Sequence, residues 1–405
     1  MYIKRKIEDQ ILKYLHTPEI LAIVGPRQCG KTTTLKQVYQ NLPNAVFLNF
    51  EDQETLSMFE NNIKQFAQTY VVGKKYVIID EFQYARNGGK LLKYLYDIHK
   101  TKIIISGSSI IDLTVKAIKF LVGRIFVFNM YPFDFFEFLL YRDSNFAGLY
   151  KKMKINLKKR ATQNLGKEQM DIFRNYYEEY VIWGGYPRVI LAKSRDEKIE
   201  VLKNIYNTYF LRDVKSVLGL IDDYKLGKLI KALSLQIGNM VEYNELAQIS
   251  ELSFLTIKKY LNFLSKTYIN ELIKPFYQNK RKEIVKNQKI YFYDTGLRNF
   301  IVNDFRYLNE RLDSGSLLEN SFWVQLIKNG NNAQYWRDKN KNEVDFIINL
   351  GENKTAAFEI KYHQKKCKKF PAAFTKEYKN IITYCVYLKS DKAEIIKNQL
   401  FLPLF

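Results

Sequence analysis

The run Leu21–Thr34, LAIVGPRQCGKTTT, joins an apolar strand-like segment to a helix-prone one through the pattern GxxxxGK[ST]. Glycines let the backbone fold around phosphate groups, and the amino terminus of the following helix adds a favourable dipole. In such a loop Lys31 pairs with β- and γ-phosphate oxygens, and Thr32 reaches Mg²⁺. The run therefore predicts a site for ATP and Mg²⁺ made of consecutive residues: Gly25, Pro26, Arg27, Gln28, Cys29, Gly30, Lys31, Thr32 and Thr33.

A second motif lies downstream, where the apolar run YVIID ends in two carboxylates, Asp80 and Glu81. An apolar strand with this ending is typical of a Walker B element. Asp80 is predicted to hold Mg²⁺ through water, and Glu81 to polarise the attacking water. The two motifs, in this order and in this context, predict an ATPase and not a passive nucleotide binder.

Short β-branched runs alternate with amphipathic segments from residue 1 to about residue 135. The strand-like runs are LAIVG, AVFLNF, YVIID, KIIISGSS and RIFVFNM. This alternation of strand-like and helical segments predicts an α/β fold with a parallel sheet. Residues 1–135 are therefore predicted to form the P-loop ATPase core.

Two further elements of the phosphate site are predicted with alternatives. Ser106 and Ser108 follow a core strand, and one or the other is predicted to sense the γ-phosphate, although a Gly/Ser loop that ends a buried strand is the alternative. Arg124 is predicted to act as an arginine finger in cis or in trans, and Arg188 is a second choice. For both arginines, a surface or structural role is the alternative.

The middle of the chain is predicted to be helical. Residues 136–225 are helical and basic, and they predict a lid or linker. Residues 226–284 offer short helices and a basic turn, which predict a winged helix-turn-helix. Lys258, Lys259 and Lys266 on its second helix are predicted to contact DNA. Packing against protein is the alternative role of such a module.

Residues 285–405 return to mixed strands and contain a second constellation of charged residues. Glu319 lies in a helical segment, Asp345 in EVDFII, and Glu359 and Lys361 in AAFEIKY. Because side chains alternate along a strand, Glu359 and Lys361 face the same side. Asp345 and Glu359 are predicted to bind Mg²⁺ with Glu319 as a further ligand, while Lys361 orients or activates water. A degenerate or structural site is the alternative.

The segments GPRQCGKTT, VIIDEFQ, IIISGSS, LVGRIFVFNMYPFDFFEFL and GGYPRVI together resemble bacterial and archaeal AAA-type ATPases with a C-terminal domain of unknown function. The order of Asp345, Glu359 and Lys361 resembles the restriction-endonuclease-like superfamily. These resemblances imply an AAA+-like parallel sheet core, a helical lid, a winged helix and a restriction-endonuclease-like α/β domain. Cys29 departs from the commoner aliphatic residue, which a loop that works through its backbone tolerates.

Composition points to an acidic partner. The chain has 64 Lys and Arg against 42 Asp and Glu, a net charge of +22 that attracts polyanions. Genome bias toward lysine is the alternative explanation. The first residues, MYIKRKIEDQILKYL, lack the uninterrupted apolar region of a signal peptide. We expect a soluble, cytoplasmic protein with ATP and DNA as partners and no membrane, with a homo-oligomer left open.

The sequence thus predicts a DNA-associated ATPase that couples its nucleotide state to a winged-helix and nuclease-like module, with DNA endonuclease activity as a further expectation. The rival interpretation is a nucleotide-switched regulator that binds DNA or protein through an inactive nuclease-like domain. Convergence of Glu319, Asp345, Glu359 and Lys361 on one point would favour the first interpretation.

Overall fold

The computed structural model describes residues 2–108, 120–154, 166–208, 222–277, 279, 281, 283, 286–351, 354–366 and 369–389, and the backbone of 394–396 and 399–403. The chain divides into two compact units. The first unit comprises Met1–Pro132 with Lys266–Tyr268, and the second comprises Phe133–Ser265 with Ile269–Phe405. The first unit ends three residues before the predicted end of the ATPase core.

The first unit is built on a parallel sheet of five strands in the order β2-β3-β4-β1-β5. One strand, β4, therefore separates the P-loop strand β1 from the Walker B strand β3. All five predicted strands are present, and the predicted α/β class is confirmed. The strands are β1 (Ile20–Val24), β2 (Ala45–Asn49), β3 (Tyr76–Asp80), β4 (Lys102–Gly107) and β5 (Ile125–Asn129).

Helices cover both faces of this sheet, because strands that are buried on both sides need two apolar layers. In β1, Ile20, Ala22 and Val24 face the core beneath α3, α4 and α5, whereas Leu21 and Ile23 face the core beneath α1 and α2. The helices are α1 (Lys6–Lys13), α2 (Lys31–Gln40), α3 (Gln53–Asn61), α4 (Ile63–Tyr70) and α5 (Gly88–Ile98).

The second unit begins with helices, as predicted, and carries further helices between and after its strands. They are α6 (Phe135–Arg142), α7 (Ser144–Lys154), α8 (Lys167–Trp183), α9 (Pro187–Leu191), α10 (Arg195–Thr208), α11 (Asp223–Leu235), α12 (Tyr243–Ser250), α13 (Phe254–Lys266), α14 (Thr295–Val302), α15 (Ser314–Lys328) and α16 (Ala372–Glu377).

A two-stranded hairpin follows the helical segment. Strand β6 (Asn270–Ile273) pairs antiparallel with β7 (Lys289–Phe292), and Met240 forms an antiparallel bridge to Lys289. The boundary predicted at residue 284 falls inside this hairpin, because the pairing of β6 with β7 cannot be read from local sequence. Assignment of α12, α13 and the hairpin to a winged helix stays a prediction.

A mixed sheet of six strands completes the second unit, in the order β12-β13-β11-β10-β9-β8. Helix α15 packs on one face, where the Phe322 ring lies 5.9 Å from that of Phe346 and 5.3 Å from that of Phe358. Trp336 and Phe374 belong to an apolar cluster of the same unit. The strands are β8 (Ala333–Arg337), β9 (Glu343–Asn349), β10 (Thr355–His363), β11 (Ile381–Lys389), β12 (Glu394–Ile396) and β13 (Gln399–Pro403).

No helix among the described residues combines the length and the apolar character that a membrane-spanning helix requires.

Candidate functional site

The predicted phosphate loop connects β1 to α2, and two of its residues adopt left-handed backbone. Gly30 has φ = 100° and Gln28 has φ = 60°, both in the left-handed region. At Gly25 a Cβ atom would lie 2.0 Å from the carbonyl oxygen of Met130. Only glycine fits at that position, because the loop runs directly against the backbone that follows β5.

Lys31 is the first residue of α2, and its side chain points into the loop. It is only 5% exposed, and its Nζ donates hydrogen bonds of 3.0 Å to the carbonyl oxygens of Gly25 and Pro26. Gly30 precedes the helix and has no side chain that could cap it. The first N–H groups of α2 and the Lys31 ammonium therefore lie where an anion is stabilised.

An arginine that the sequence motif does not contain supports the loop. The buried guanidinium of Arg5 donates to the carbonyl oxygens of Cys29 at 2.7 Å and Tyr131 at 2.6 Å. The thiol of Cys29 lies 3.4 Å from the carbonyl oxygen of Met130. Cys29 is thus a buried packing residue of the loop, and Arg5 joins the start of α1 to it. Sequence reasoning missed Arg5, because no local pattern connects it to the motif.

Asp80 ends β3 at the same edge of the parallel sheet from which the phosphate loop emerges. Its side chain is fully buried. Oδ1 accepts a hydrogen bond from the hydroxyl of Ser106, whereas Oδ2 has no hydrogen-bond partner within the described part of the chain. Since a buried carboxylate oxygen without a partner is costly, this atom fits the predicted role of holding hydrated Mg²⁺.

Glu81 follows immediately and adopts an unusual backbone conformation. Its φ of 55° lies in the left-handed region, which is strained for a residue with a side chain and is frequent in active sites. Its N–H donates to the Ser106 hydroxyl at 3.3 Å, and its carboxylate accepts from the amide of Gln83. Ser106 thus joins Asp80 to Glu81, while Ser108 is buried at the end of β4. The sensor role of these serines stays a prediction.

Arg124 lies at the wrong end of the sheet for an arginine finger in cis. It precedes β5, and its carbonyl oxygen accepts from the N–H of Ile20 at the start of β1. Its side chain is half-exposed and pairs with Asp97 at 3.2 Å. The phosphate loop follows the opposite end of β1, so Arg124 cannot complete the site of its own chain. A role in trans remains a prediction.

The Gly-Gly-Tyr-Pro turn before Arg188 has a structural function. Gly184 has φ = 76°, and the N–H of Gly185 donates at 2.7 Å to the buried carboxylate of Asp294, which also caps α14. Arg188 itself is exposed and lies 3.5 Å from Glu197. The turn therefore attaches α8 to α14, and it does not present Arg188 to a buried site.

The second constellation forms where two strands of the mixed sheet stop pairing. The antiparallel register of β9 and β10 extends to the pair Phe346 and Phe358, and Asp345 and Glu359 come next on their strands. Asp345 Oδ2 accepts the N–H of Ile360 at 2.7 Å. The Asp345 carboxylate thereby takes the place of a backbone carbonyl as acceptor for this N–H, and the ends of β9 and β10 are held apart.

Lys361 lies beside both carboxylates of this motif. Its Nζ is 2.6 Å from Glu359 Oε2 and 3.6 Å from Asp345 Oδ2. Although burial disfavours its charge, the carboxylates of Asp345 and Glu359 raise the pKa of Lys361 above its ordinary value. Glu359 and Lys361 thus share one side of β10, as strand periodicity predicts.

Glu319 of α15 joins the same group, together with two residues that sequence reasoning missed. Within the described residues, carboxylate oxygens of Glu319, Glu343 and Asp345 all lie within 4.8 Å of one another. The buried ammonium of Lys289 is 2.9 Å from Glu319 Oε1 and also contacts Glu343. The hydroxyl of Tyr291 donates to Glu319 as well. We call Glu319, Glu343, Asp345, Glu359, Lys289 and Lys361 the carboxylate cluster.

Burial and crowding perturb the carboxyl groups of the carboxylate cluster. Burial raises the pKa of Glu319 to about 7, opposed by Lys289 and assisted by Asp345. Burial also raises the pKa of Glu359 to about 8, with Asp345 adding to the shift and Lys361 opposing it. Perturbed groups that converge in this way are typical of functional sites. Several carboxylate oxygens at this separation are also the ligand chemistry that Mg²⁺ and Mn²⁺ prefer.

Parts of the chain match known protein families. Residues 17–139 match a family described as an AAA domain, residues 174–307 match a domain of unknown function (DUF8612), and residues 314–405 match another (DUF4143). The AAA domain match contains every residue predicted for the phosphate site except Arg188, the second choice of arginine finger. The resemblance to AAA-type ATPases with a C-terminal domain of unknown function is thereby confirmed.

Two relatives and a solved structure are also similar to the chain. It is 26% identical over 373 residues to an uncharacterized protein of Haemophilus influenzae, covering 87% of this chain and 86% of that protein. It is 27% identical over 364 residues to an uncharacterized protein of Methanocaldococcus jannaschii, covering 87% and 76%. The Walker-type ATPase of Pyrococcus abyssi gives a TM-score of 0.48 at 14% identity, covering 74% of this chain and 96% of that one. By its family match and its strand order, the chain carries an AAA-type P-loop ATPase domain.

Proposed function

We propose that the first unit hydrolyses ATP with Mg²⁺. The observation that carries this proposal is the buried Asp80 oxygen without a described partner, at the sheet edge where the phosphate loop begins. If this segment served only for packing, the unsatisfied carboxylate oxygen of Asp80 would destabilise the fold with no compensating interaction. A protein that holds a hydrated cation there satisfies the oxygen.

Each residue of the site then has a distinct task. The loop from Gly25 to Thr33 would hold the phosphates through its N–H groups and Lys31, and Thr32 and Asp80 would hold Mg²⁺. Bound Mg²⁺ supplies charge neutralisation at the β- and γ-phosphates. Glu81 accepts a proton from, or orients, the attacking water, and Ser106 keeps Asp80 and Glu81 in register through its two hydrogen bonds.

Phosphate release by the purified full chain tests this proposal. We expect hydrolysis that requires Mg²⁺ and is lost in Lys31→Ala, because that ammonium is the loop's charged phosphate ligand. Lys36→Ala is the matched control, since Lys36 is an exposed residue of the same helix. Equal hydrolysis by Lys31→Ala and the wild type would mean that the activity does not come from this site.

A second function is favoured by the carboxylate cluster. We propose metal-dependent hydrolysis of phosphodiester bonds in DNA, supported by the approach of Glu319 to Asp345 and by the contacts of Lys361 with both Asp345 and Glu359. Asp345 and Glu359 would hold Mg²⁺ or Mn²⁺, with Glu319 as a further ligand. The ion supplies a water of lowered pKa and neutralises the phosphate, while Lys361 orients the attacking water.

Cleavage of linear, nicked and branched DNA with Mg²⁺ or Mn²⁺, with and without ATP, tests this second function. Cutting that disappears in Asp345→Ala establishes the nuclease, and a Lys31→Ala sample shows whether nucleotide controls it. An absence of cutting with ATP hydrolysis retained would favour the rival function, a nucleotide-switched regulator that binds DNA or protein.

The predicted coupling between nucleotide state and the second unit belongs to the same proposal. DNA contact by Lys258, Lys259 and Lys266 on α13 is part of it; all three lysines are exposed, and Lys258 lies over the Phe254 ring at 4.4 Å. DNA that changes the rate of ATP hydrolysis would support the coupling. Identical rates with and without DNA would contradict it.

A further inference from the structure

A basic cavity of about 690 Å³ opens in the second unit, at the end of the edge strand β8. Its volume is in the range of small-ligand sites. Four basic side chains line it: Arg281, Lys286, Arg337 and Lys339. We call this site the basic cavity.

Its acidic side chains offset only part of this charge. Asp338 and Glu377 are the acidic residues among its lining side chains. The carboxylate of Asp338 accepts the N–H and the side-chain amide of Asn342, both at 2.8 Å, within its own turn. Four positive against two negative groups leave the lining with an excess of positive charge.

Three of the basic side chains are available to a ligand. Arg281, Lys286 and Lys339 are exposed, and no ion pair among the described residues involves them. A guanidinium and two ammonium groups at one opening, with no carboxylate paired to them among the described residues, repel one another. An anion that enters the opening relieves this repulsion.

The fourth basic residue connects the basic cavity to the carboxylate cluster. Arg337 pairs across the strands with Glu343, and its Nη1 lies 3.2 Å from Glu343 Oε2. Glu343 belongs to the carboxylate cluster through its contact with Lys289. The hydroxyl of Tyr277 donates at 3.1 Å to the carbonyl oxygen of Arg337, which fixes the wall of the cavity. The two sites are therefore separated by a single ion pair.

We propose that the basic cavity binds the phosphates of a single nucleic-acid strand whose backbone continues to the carboxylate cluster. This inference rests on the proposed phosphodiester hydrolysis, because it names where that substrate is held. Arginine and lysine side chains are the usual phosphate partners in nucleic-acid complexes. A concave site of this volume admits one strand, and a positive groove that follows the backbone is the common mode of single-strand binding.

Binding of a fluorescein-labelled oligothymidylate, followed by polarisation in EDTA, tests the inference without any cleavage. The variant is the triple substitution Arg281→Ala, Lys286→Ala and Lys339→Ala. Its matched control removes one exposed arginine and two exposed lysines of the same unit outside the cavity: Lys193→Ala, Arg195→Ala and Lys231→Ala.

The salt dependence of binding distinguishes the two variants. Each phosphate contact to a single strand contributes about 0.7 to the slope of log K against log salt concentration, so three lost contacts lower the slope by about 2. We expect this change in the cavity variant and not in the control. Equal slopes in the two variants would overturn the inference. If the triple variant fails to fold, each single substitution is expected to lower the slope by about 0.7.

Competition identifies the chemistry of the ligand. We expect unlabelled oligothymidylate to displace the probe far better than polyglutamate of equal charge. Equal displacement would show a site for acidic protein and overturn the phosphate assignment. A slope change without any DNA cutting in Mn²⁺ would contradict the proposed nuclease and leave the basic cavity as a binding site. Cutting without a slope change would support the nuclease and contradict binding of the strand in the basic cavity.

Discussion

Lys289→Met tests how much the Lys289 ammonium stabilises the carboxylate cluster. The Lys289 side chain is 1% exposed, and its ammonium contacts both Glu319 and Glu343. Removing one partner of a buried ion pair costs about 3–5 kcal/mol. The Glu343 side chain is 24% exposed and can recruit water, so we expect a loss near the lower value, about 3 kcal/mol. For a unit of this size, that loss lowers Tm by on the order of 10 °C.

The destabilisation by Lys289→Met should depend on pH. The folded-state pKa of Glu319 is already raised to about 7 with Lys289 present, so without the ammonium it rises further. A raised carboxyl pKa stabilises the protonated folded chain at low pH, and this stabilisation is lost as pH rises through the folded pKa. The variant should therefore lose less stability at about pH 6 than at about pH 9.

Urea unfolding at both pH values measures the effect, with Lys274→Met as the control. Lys274 is an exposed lysine that follows β6, and its replacement should change stability by less than about 0.5 kcal/mol. A loss below about 1 kcal/mol at pH 9, or equal losses at the two pH values, would refute the assigned role of the Lys289 ammonium.

Three further outcomes follow from the two sites. Ser106→Ala removes the donor to the Walker B aspartate, so Mg²⁺-dependent hydrolysis should fall about 10- to 100-fold; an unchanged rate would refute the role. Gly25→Ala places a methyl 2.0 Å from a backbone oxygen and should abolish ATP binding in a fluorescent-nucleotide titration, whereas Gly148→Ala, with open space, should not. Burial raises the pKa of Glu319 to about 7 and that of Glu359 to about 8. Calorimetry should therefore show that the affinity for Mn²⁺ falls as the pH is lowered from about 9 to about 6, and that binding releases protons at the lower pH. An affinity that does not change with pH would contradict this.

The first unit could be predicted closely, because its signals are local. A continuous β-branched run indicates a strand of a parallel sheet that is buried on both faces, and the phosphate loop is a contiguous motif. The sequence also held a signal against a cis role for Arg124. The residues of the phosphate site follow β1 and β3, whereas Arg124 precedes β5, and in a parallel sheet these are opposite edges.

The carboxylate cluster could be predicted only in part. Asp345, Glu359 and Lys361 follow a known spacing, and strand periodicity places the last two together. Glu343 precedes Asp345 by two residues in one strand, a signal that was available and unused. Lys289 gave no such signal, since its place depends on β7 lying beside α15, a tertiary contact without a local pattern.

ATP hydrolysis by Glu81→Gln, with ATP binding measured on the same preparation, tests the central claim most directly. The account predicts that binding is retained and that turnover falls about 10²- to 10⁴-fold, because Glu81 acts on the water and not on the phosphates. Glu54→Gln, at an exposed position of α3, should leave both quantities unchanged. Wild-type turnover by Glu81→Gln would contradict the claim that hydrolysis occurs at this site with Glu81 as the residue that acts on water.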